Sequence, residues 1–208
     1  MDARQMIEDD IKTSMRKGIK LGILINPRIS GCFFSDRLHI SSQYSMFSDE
    51  LDFRNKYSQN YEDGKYLVAL KDGAYFQVNY EFKIKRKRDS YVKKMNYCFI
   101  PSIIDNSIVN EYLRVDFNHT NDNSFFHSFA HLHVGFKNCI RIPMDEVMLF
   151  SEFLLMILYY YYPEDFKTFV NNENIYKNTV DDSVCGKFTE NRVLSRELEK
   201  YLYIKTVQ

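Results

Sequence analysis

Residues 65–85 constrain the fold more than any other stretch. KYLVALK at 65–71 and AYFQVNYEFKIK at 74–85 flank Asp72-Gly73. Asp-Gly between two strand-like runs is a strong hairpin signal. The second run alternates: Phe76, Val78, Tyr80, Phe82 and Ile84 share one face, while Tyr75, Gln77, Asn79, Glu81 and Lys83 share the other. A two-residue turn sets Lys71 opposite Ala74, Ala69 opposite Phe76 and Leu67 opposite Val78, which extends the apolar face over both strands.

More strands follow. NYCFIPSII (96–104), EYLRVDFN (111–118), SFAHLHVGF (128–136) and CIRIPM (139–144) all read as extended segments, and Lys137-Asn138 closes a tight turn between the last two. Helices bracket them. Residues 2–17 form an amphipathic helix with Ile7, Ile11 and Met15 in one stripe, Asp2 as N-cap and Gly18 as terminator. An apolar helix over 146–162 is capped by Asp145 and stopped by Pro163, and a last helix spans 190–204 behind Thr189, with Leu194, Leu198 and Leu202 on one face. LGILIN (21–26) is a short strand or buried turn. Residues 35–64 are polar with no clean period and read as a loop or loose insertion, the place for a mobile flap, and 171–188 is an Asn- and Asp-rich loop. The order predicts an α+β fold: one domain over 1–208, with an antiparallel sheet of about five to seven strands and helices on one face.

Composition excludes several function classes. The 28 basic residues balance 28 acidic ones, which removes a strongly basic nucleic-acid packager but leaves room for a local patch. The acid-bearing N-terminus is no signal or transit peptide. The apolar run from Val147 to Tyr162 contains Glu152 and falls short of the roughly 20 residues a bilayer span needs. Cys32, Cys98, Cys139 and Cys185 form no CxxC pair, which favours reduced thiols over a zinc knuckle. A cytoplasmic protein with no membrane partner is expected.

The chemistry-bearing residues cluster by strand parity. His131 and His133 oppose Ala130, Leu132 and Val134; Arg114 and Asp116 oppose Leu113, Val115 and Phe117; Arg141 and Cys139 oppose Ile140 and Ile142. If the apolar sides seek one core, Arg114, Asp116, His131, His133 and Arg141 meet on the other face. His119 and His127 sit at strand ends, and Gly135 leaves open space above the sheet.

Two imidazoles suit a general acid and base, two guanidiniums suit a phosphate, and Asp116 suits orienting either. That set suffices to cleave RNA through its own 2′-hydroxyl without a metal or other cofactor. Two other readings stay open. His131, His133 and Asp116 could ligate a divalent metal, and an alternating polar face is often merely solvated. The run Lys83, Lys85, Arg86, Lys87 and Arg88 is a candidate nucleic-acid track with Tyr91 available to stack a base, or else an exposed strand end that deters edge pairing. HLHVG fails the histidine-triad pattern of nucleotide hydrolases, because the third alternating position is Gly135.

LRVDF at 113–117, HSFAHLHVG at 127–135, RIPM at 141–144 and the apolar helix ending in YYYYP resemble the bacterial domain-of-unknown-function family 2290. Where that family commonly has a proline after its early histidine, this chain has Ser128. The Arg/Asp strand before a His-rich strand is also similar to TumE-type toxins of toxin–antitoxin pairs. This resemblance implies a toxin or phage-defence effector, with a cognate antitoxin or defence-complex protein as partner. A non-catalytic partner or sensor subunit is the alternative it leaves.

Overall fold

A computed structural model of the chain describes residues 3–28, 38–42, 47–86, 89–103, 112–118, 130–135, 140–144 and 148–171. The chain divides into two compact units, 1–153 and 154–208. The elements run α1 (Ala3–Lys20), β1 (Leu24–Ile25), β2 (His39–Ser41), α2 (Glu50–Glu62), β3 (Val68–Leu70), β4 (Tyr75–Arg86), β5 (Asp89–Ile100), β6 (Leu113–Asn118), β7 (Ala130–Val134), β8 (Ile140–Met144), α3 (Phe150–Tyr161) and α4 (Pro163–Asn171). The expected final helix at 190–204 lies outside the described residues.

The α+β expectation holds. Seven strands form one antiparallel path in the order β1-β3-β4-β5-β6-β7-β8, and β2 pairs with β4 beside β3. The apolar side of β4 carries Phe76, Val78, Tyr80 and Phe82, all buried, and their partners Phe99, Tyr97 and Met95 continue that side on β5. Val115 and Leu132 extend it across β6 and β7.

α1 packs against β5 through its stripe of Ile7, Ile11 and Met15. Phe150 and Phe153 set their rings on Phe76 and Tyr97, with centroids 5.5–6.1 Å apart. Asp10 of α1 ties these pieces together by accepting from the Ser151 N–H at 3.1 Å, which satisfies a donor in the first turn of α3. Burial raises the Asp10 pKa against the lowering pull of its hydrogen bonds to Ser151 and Phe150.

The other side is not uniformly polar. At the Tyr75 end, α2 covers it with Phe53 and Tyr57, which join Tyr66, Tyr75, Cys98, Ile100 and Tyr112 in a second apolar cluster. Tyr61 stacks on Tyr66 at 5.2 Å, and the Tyr57 hydroxyl donates to the Gly73 carbonyl at 2.7 Å. Tyrosine suits this position, because the ring buries area while the hydroxyl finds a partner.

Three local expectations are corrected. α1 does not end at Gly18, which lies inside the helix where Leu24 leaves no room for a Cβ, at 2.4 Å from its Cδ1. The terminating glycine is Gly22 (φ 67°), where the Gly22 and Ile23 N–H groups bond back to the Ile19 and Gly18 carbonyls. The hairpin loop has three residues, since Leu70 N–H bonds to the Ala74 carbonyl and Gly73 takes φ 93°. Ala69 therefore faces Tyr75, and Val68 faces Phe76, one residue from the expected register. Residues 50–62 are no loop or flap but α2, capped by Asp49 and laced by Glu50–Arg54 and Asp52–Lys56 pairs.

In the second unit α3 runs on to Tyr161, and Pro163 opens α4, where its missing N–H is harmless. The Tyr159 and Phe166 rings meet edge-on at 5.2 Å. No helix among the described residues is long and apolar enough to cross a membrane.

The Asp49 side chain accepts from the Asp52 N–H at 2.9 Å. Asp49→Ala is expected to lower unfolding free energy by about 0.5–2 kcal/mol. A denaturant midpoint unchanged from wild type would contradict the capped helix.

Candidate active site

Register decides which side chains meet. Asn79 on β4 pairs with Asn96 on β5, Asn96 with Asp116 on β6, and Asp116 with His131 on β7. One row over, Gln77 pairs with Cys98, Cys98 with Arg114, Arg114 with His133, and His133 with Arg141 on β8. Paired residues of antiparallel strands point the same way, so both rows lie on the side opposite Tyr97, Val115 and Leu132. The parity expectation is met for Arg114, Asp116, His131 and His133. The backbone of Arg141 sits in the same row, while its side chain, and His119 and His127, lie outside the described residues.

The four side chains converge on one carboxylate oxygen. Asp116 Oδ2 lies 2.8 Å from an Arg114 guanidinium nitrogen, 3.0 Å from His133 Nε2 and 3.9 Å from His131 Nε2. Asp116 Oδ1 accepts from the Asn96 amide at 2.6 Å. The two imidazole rings stand 4.6 Å apart, edge to face. His131 and His133 are only 6% and 2% exposed, so the face is not open at this point as parity alone suggested. Truncating either residue therefore carries a packing cost.

Burial would raise the Asp116 pKa. The hydrogen bond from His133, the Arg114 charge and the Asn96 hydrogen bond outweigh it and hold the carboxyl below its ordinary value of 3.8. Asp116 is thus an anion on a largely buried sheet face. Its charge is balanced by Arg114, whose side chain is 12% exposed. On the far side of Arg114, Tyr112 shares a 3.2 Å contact with the Cys98 thiol. Burial and Cys98 push the Tyr112 hydroxyl pKa up, while Arg114 pulls it down.

His133 Nε2 is the pivotal atom. It lies 3.0 Å from Asp116 Oδ2 and 3.1 Å from the Arg114 guanidinium. A guanidinium only donates and an ionised carboxylate only accepts. With a proton on Nε2, the imidazole donates to Asp116. Without it, the bare nitrogen accepts from Arg114. The atom therefore keeps a partner in either tautomer, which holds the ring in place whichever nitrogen carries the proton.

His131, His133 and Asp116 also present donor atoms all within 4.8 Å of one another. Zinc ligands at about 2.0–2.2 Å from the ion stand roughly 3.3 Å apart, so the set matches a three-ligand metal site in residue type and would have to draw closer to hold an ion. Arg114 weighs against it, because its guanidinium lies 2.8 Å and 3.1 Å from two of the three donor atoms and already supplies the positive charge there.

The basic run is placed only in part. Lys83 is exposed and pairs across the hairpin with Tyr91, on the same side as the site. The backbones of Lys85 and Arg86 continue β4, their side chains are not described, and Lys87 and Arg88 lie outside the described residues. Lys93 is engaged by Glu81. Sequence reading missed Asn79, Asn96, Cys98 and Tyr112. Asn79 shares the site's parity on β4 and Asn96 and Cys98 share it on β5, and for the latter two the signal was present in NYCFI had its alternation been carried across to β6.

A family described as "Uncharacterized conserved protein (DUF2290)" matches residues 101–195. The resemblance to that family is borne out over this segment, which contains Arg114, Asp116, His131 and His133. No curated protein and no solved structure matches the chain.

Asp116 has a lower pKa folded than unfolded, so its stabilisation is complete above the unfolded value and fades as pH falls through the folded one. The stability advantage of wild type over Asp116→Asn should be constant near neutrality and shrink below pH 3.8. An advantage that instead grows on acidification, in denaturation curves across that range, would contradict the ionised Asp116.

Proposed function

We propose that this chain is a metal-independent ribonuclease that acts in the cytoplasm as the toxin or effector of a toxin–antitoxin or anti-phage defence system. One observation carries the reading: His133 Nε2 lies between the Asp116 carboxylate at 3.0 Å and the Arg114 guanidinium at 3.1 Å. This is an imidazole held by a partner in either tautomer, next to a cation suited to a phosphate.

In this reading His133, its Nε2–H held by the Asp116 carboxylate, takes the proton of the RNA 2′-hydroxyl on Nδ1. The 2′-oxygen bonds to phosphorus, the bond to the 5′-oxygen breaks, and His131 protonates the leaving oxygen. The products are a 2′,3′-cyclic phosphate and a 5′-hydroxyl. Arg114, with Arg141 from the neighbouring strand, offsets the charge that builds on the phosphate. Gly135 lies two residues beyond His133, and among the described residues nothing comes within 4 Å of a Cβ placed there. Lys83 and Tyr91 lie on the same side about 16 Å along the strands, at roughly 3.3 Å per residue, where RNA extending from the site would meet a charge and a ring. A cognate antitoxin or defence partner would restrain the activity.

The clustering of His131, His133 and Asp116 favours a second reading, a metal-dependent hydrolase. The acid–base reading is preferred because Arg114 contacts two of those donor atoms and fills the role of the cation.

Expression of the intact chain, alone or with its native neighbours, should arrest growth. His133→Gln should relieve the arrest by lowering the rate about 10²–10⁴-fold, and Arg114→Gln should do likewise. His133 is buried and Arg114 partly so, and melting curves must show each variant folded. Folded variants that remain fully toxic would refute the catalytic roles. Harmless wild-type protein that still binds its neighbour would favour a partner subunit.

A further inference from the structure

We infer that Asn96, braced by Asn79, is a positioning residue that turns the Asp116 carboxylate toward His133. The inference rests on the acid–base reading of the site. The three residues occupy one row across β4, β5 and β6. The Asn79 amide donates to Asn96 Oδ1 at 3.4 Å, and the Asn96 amide donates to Asp116 Oδ1 at 2.6 Å. Every donor in the row points toward Asp116.

The direction is fixed by chemistry. An ionised carboxylate only accepts, so the NH2 end of Asn96 must face Asp116. The carbonyl end then faces Asn79, which has an NH2 to offer. Asn96 is 7% exposed, so each end needs a protein partner.

The carboxylate needs this brace. Rotation of an Asp carboxylate about its terminal bond is soft, and Arg114 lies 2.8 Å from Oδ2. A guanidinium readily takes both oxygens of a carboxylate as a fork. With Asn96 on Oδ1, that oxygen is occupied, and Oδ2 is left to His133 and Arg114. Without Asn96, Asp116 is free to turn flat onto Arg114 and to release His133. The imidazole would then keep its bare Nε2 toward Arg114 and carry its proton on Nδ1.

The test is nitrogen-15 NMR of the imidazoles in the full-length chain near neutral pH, read beside RNA cleavage. In wild type His133 should show a protonated Nε2. Asn96→Leu, which keeps the bulk and removes the donor, should move the ring toward the Nδ1–H form and lower the cleavage rate about 10–100-fold, the scale of lost orienting contacts. Asn79→Ala, at a half-exposed position, should shift the ring the same way by less, and it covers the case in which Asn96→Leu fails to fold. Asp116→Asn is the control and should abolish the Nε2–H form. If Asp116→Asn shifts the ring but neither asparagine variant does, the positioning role is wrong and the acid–base site stands. If even Asp116→Asn leaves the ring unchanged, the Asp116–His133 pairing itself is wrong.

Discussion

The in-register pairing of β4 through β8 is the constraint on which the rest depends. Side chains alternate with a period of two, so a one-residue slip of β6 would carry Asp116 into the apolar layer and Val115 out of it. Such a slip would leave a buried charge without Arg114 and open the packing around Val115, which is fully buried. The apolar side thus enforces the register, and the register assembles the site. The same pairing that sets Tyr97, Val115 and Leu132 in one row sets Cys98, Arg114 and His133 in another, and Asn96, Asp116 and His131 in a third.

The site uses the low exposure of that face. A carboxylate and a guanidinium that are 18% and 12% exposed interact far more strongly than they would in water. Such a pair is costly to desolvate, and removing one member is commonly worth about 3–5 kcal/mol because it strands the other charge. Asn96 on one carboxylate oxygen, His133 and Arg114 on the other, and Tyr112 beyond Arg114 form a continuous polar layer on the side of the sheet opposite Tyr97, Val115 and Leu132. On one side α1 and the start of α3 cover the sheet. On the other, α2 and the tyrosine cluster close it at the Tyr75 end.

The sequence made β6, β7 and β8 readable because each is short, alternates, and has one purely apolar side. It misled where both sides are buried. Tyr75 and Gln77 fall on the side opposite the apolar set of β4, yet both are fully buried. The tyrosine ring packs under α2, and the Gln77 amide finds the Lys65 carbonyl. α2 went unread because its buried positions, Phe53, Tyr57 and Asn60, include a polar residue and make too thin a stripe to rise above its charges. The Asp72-Gly73 turn was recognised but counted one residue short, since Lys71 belongs to the loop. Four of the five expected catalytic residues are described together in space, and a resemblance carried by short strand motifs is matched over 101–195. Asn96 escaped notice because the alternation of NYCFI brings it to the site only once β5 is paired with β6.

The claim that His133, Asp116 and Arg114 form a metal-free acid–base site for RNA meets its most direct test in the ends of the cleavage products. Purified protein, treated with chelator, would be incubated with a defined RNA and the new termini identified. The account predicts cleavage that survives the chelator and leaves 2′,3′-cyclic phosphate and 5′-hydroxyl ends. Products with a 3′-hydroxyl and a 5′-phosphate, or cleavage that returns only on adding a divalent ion, would contradict it.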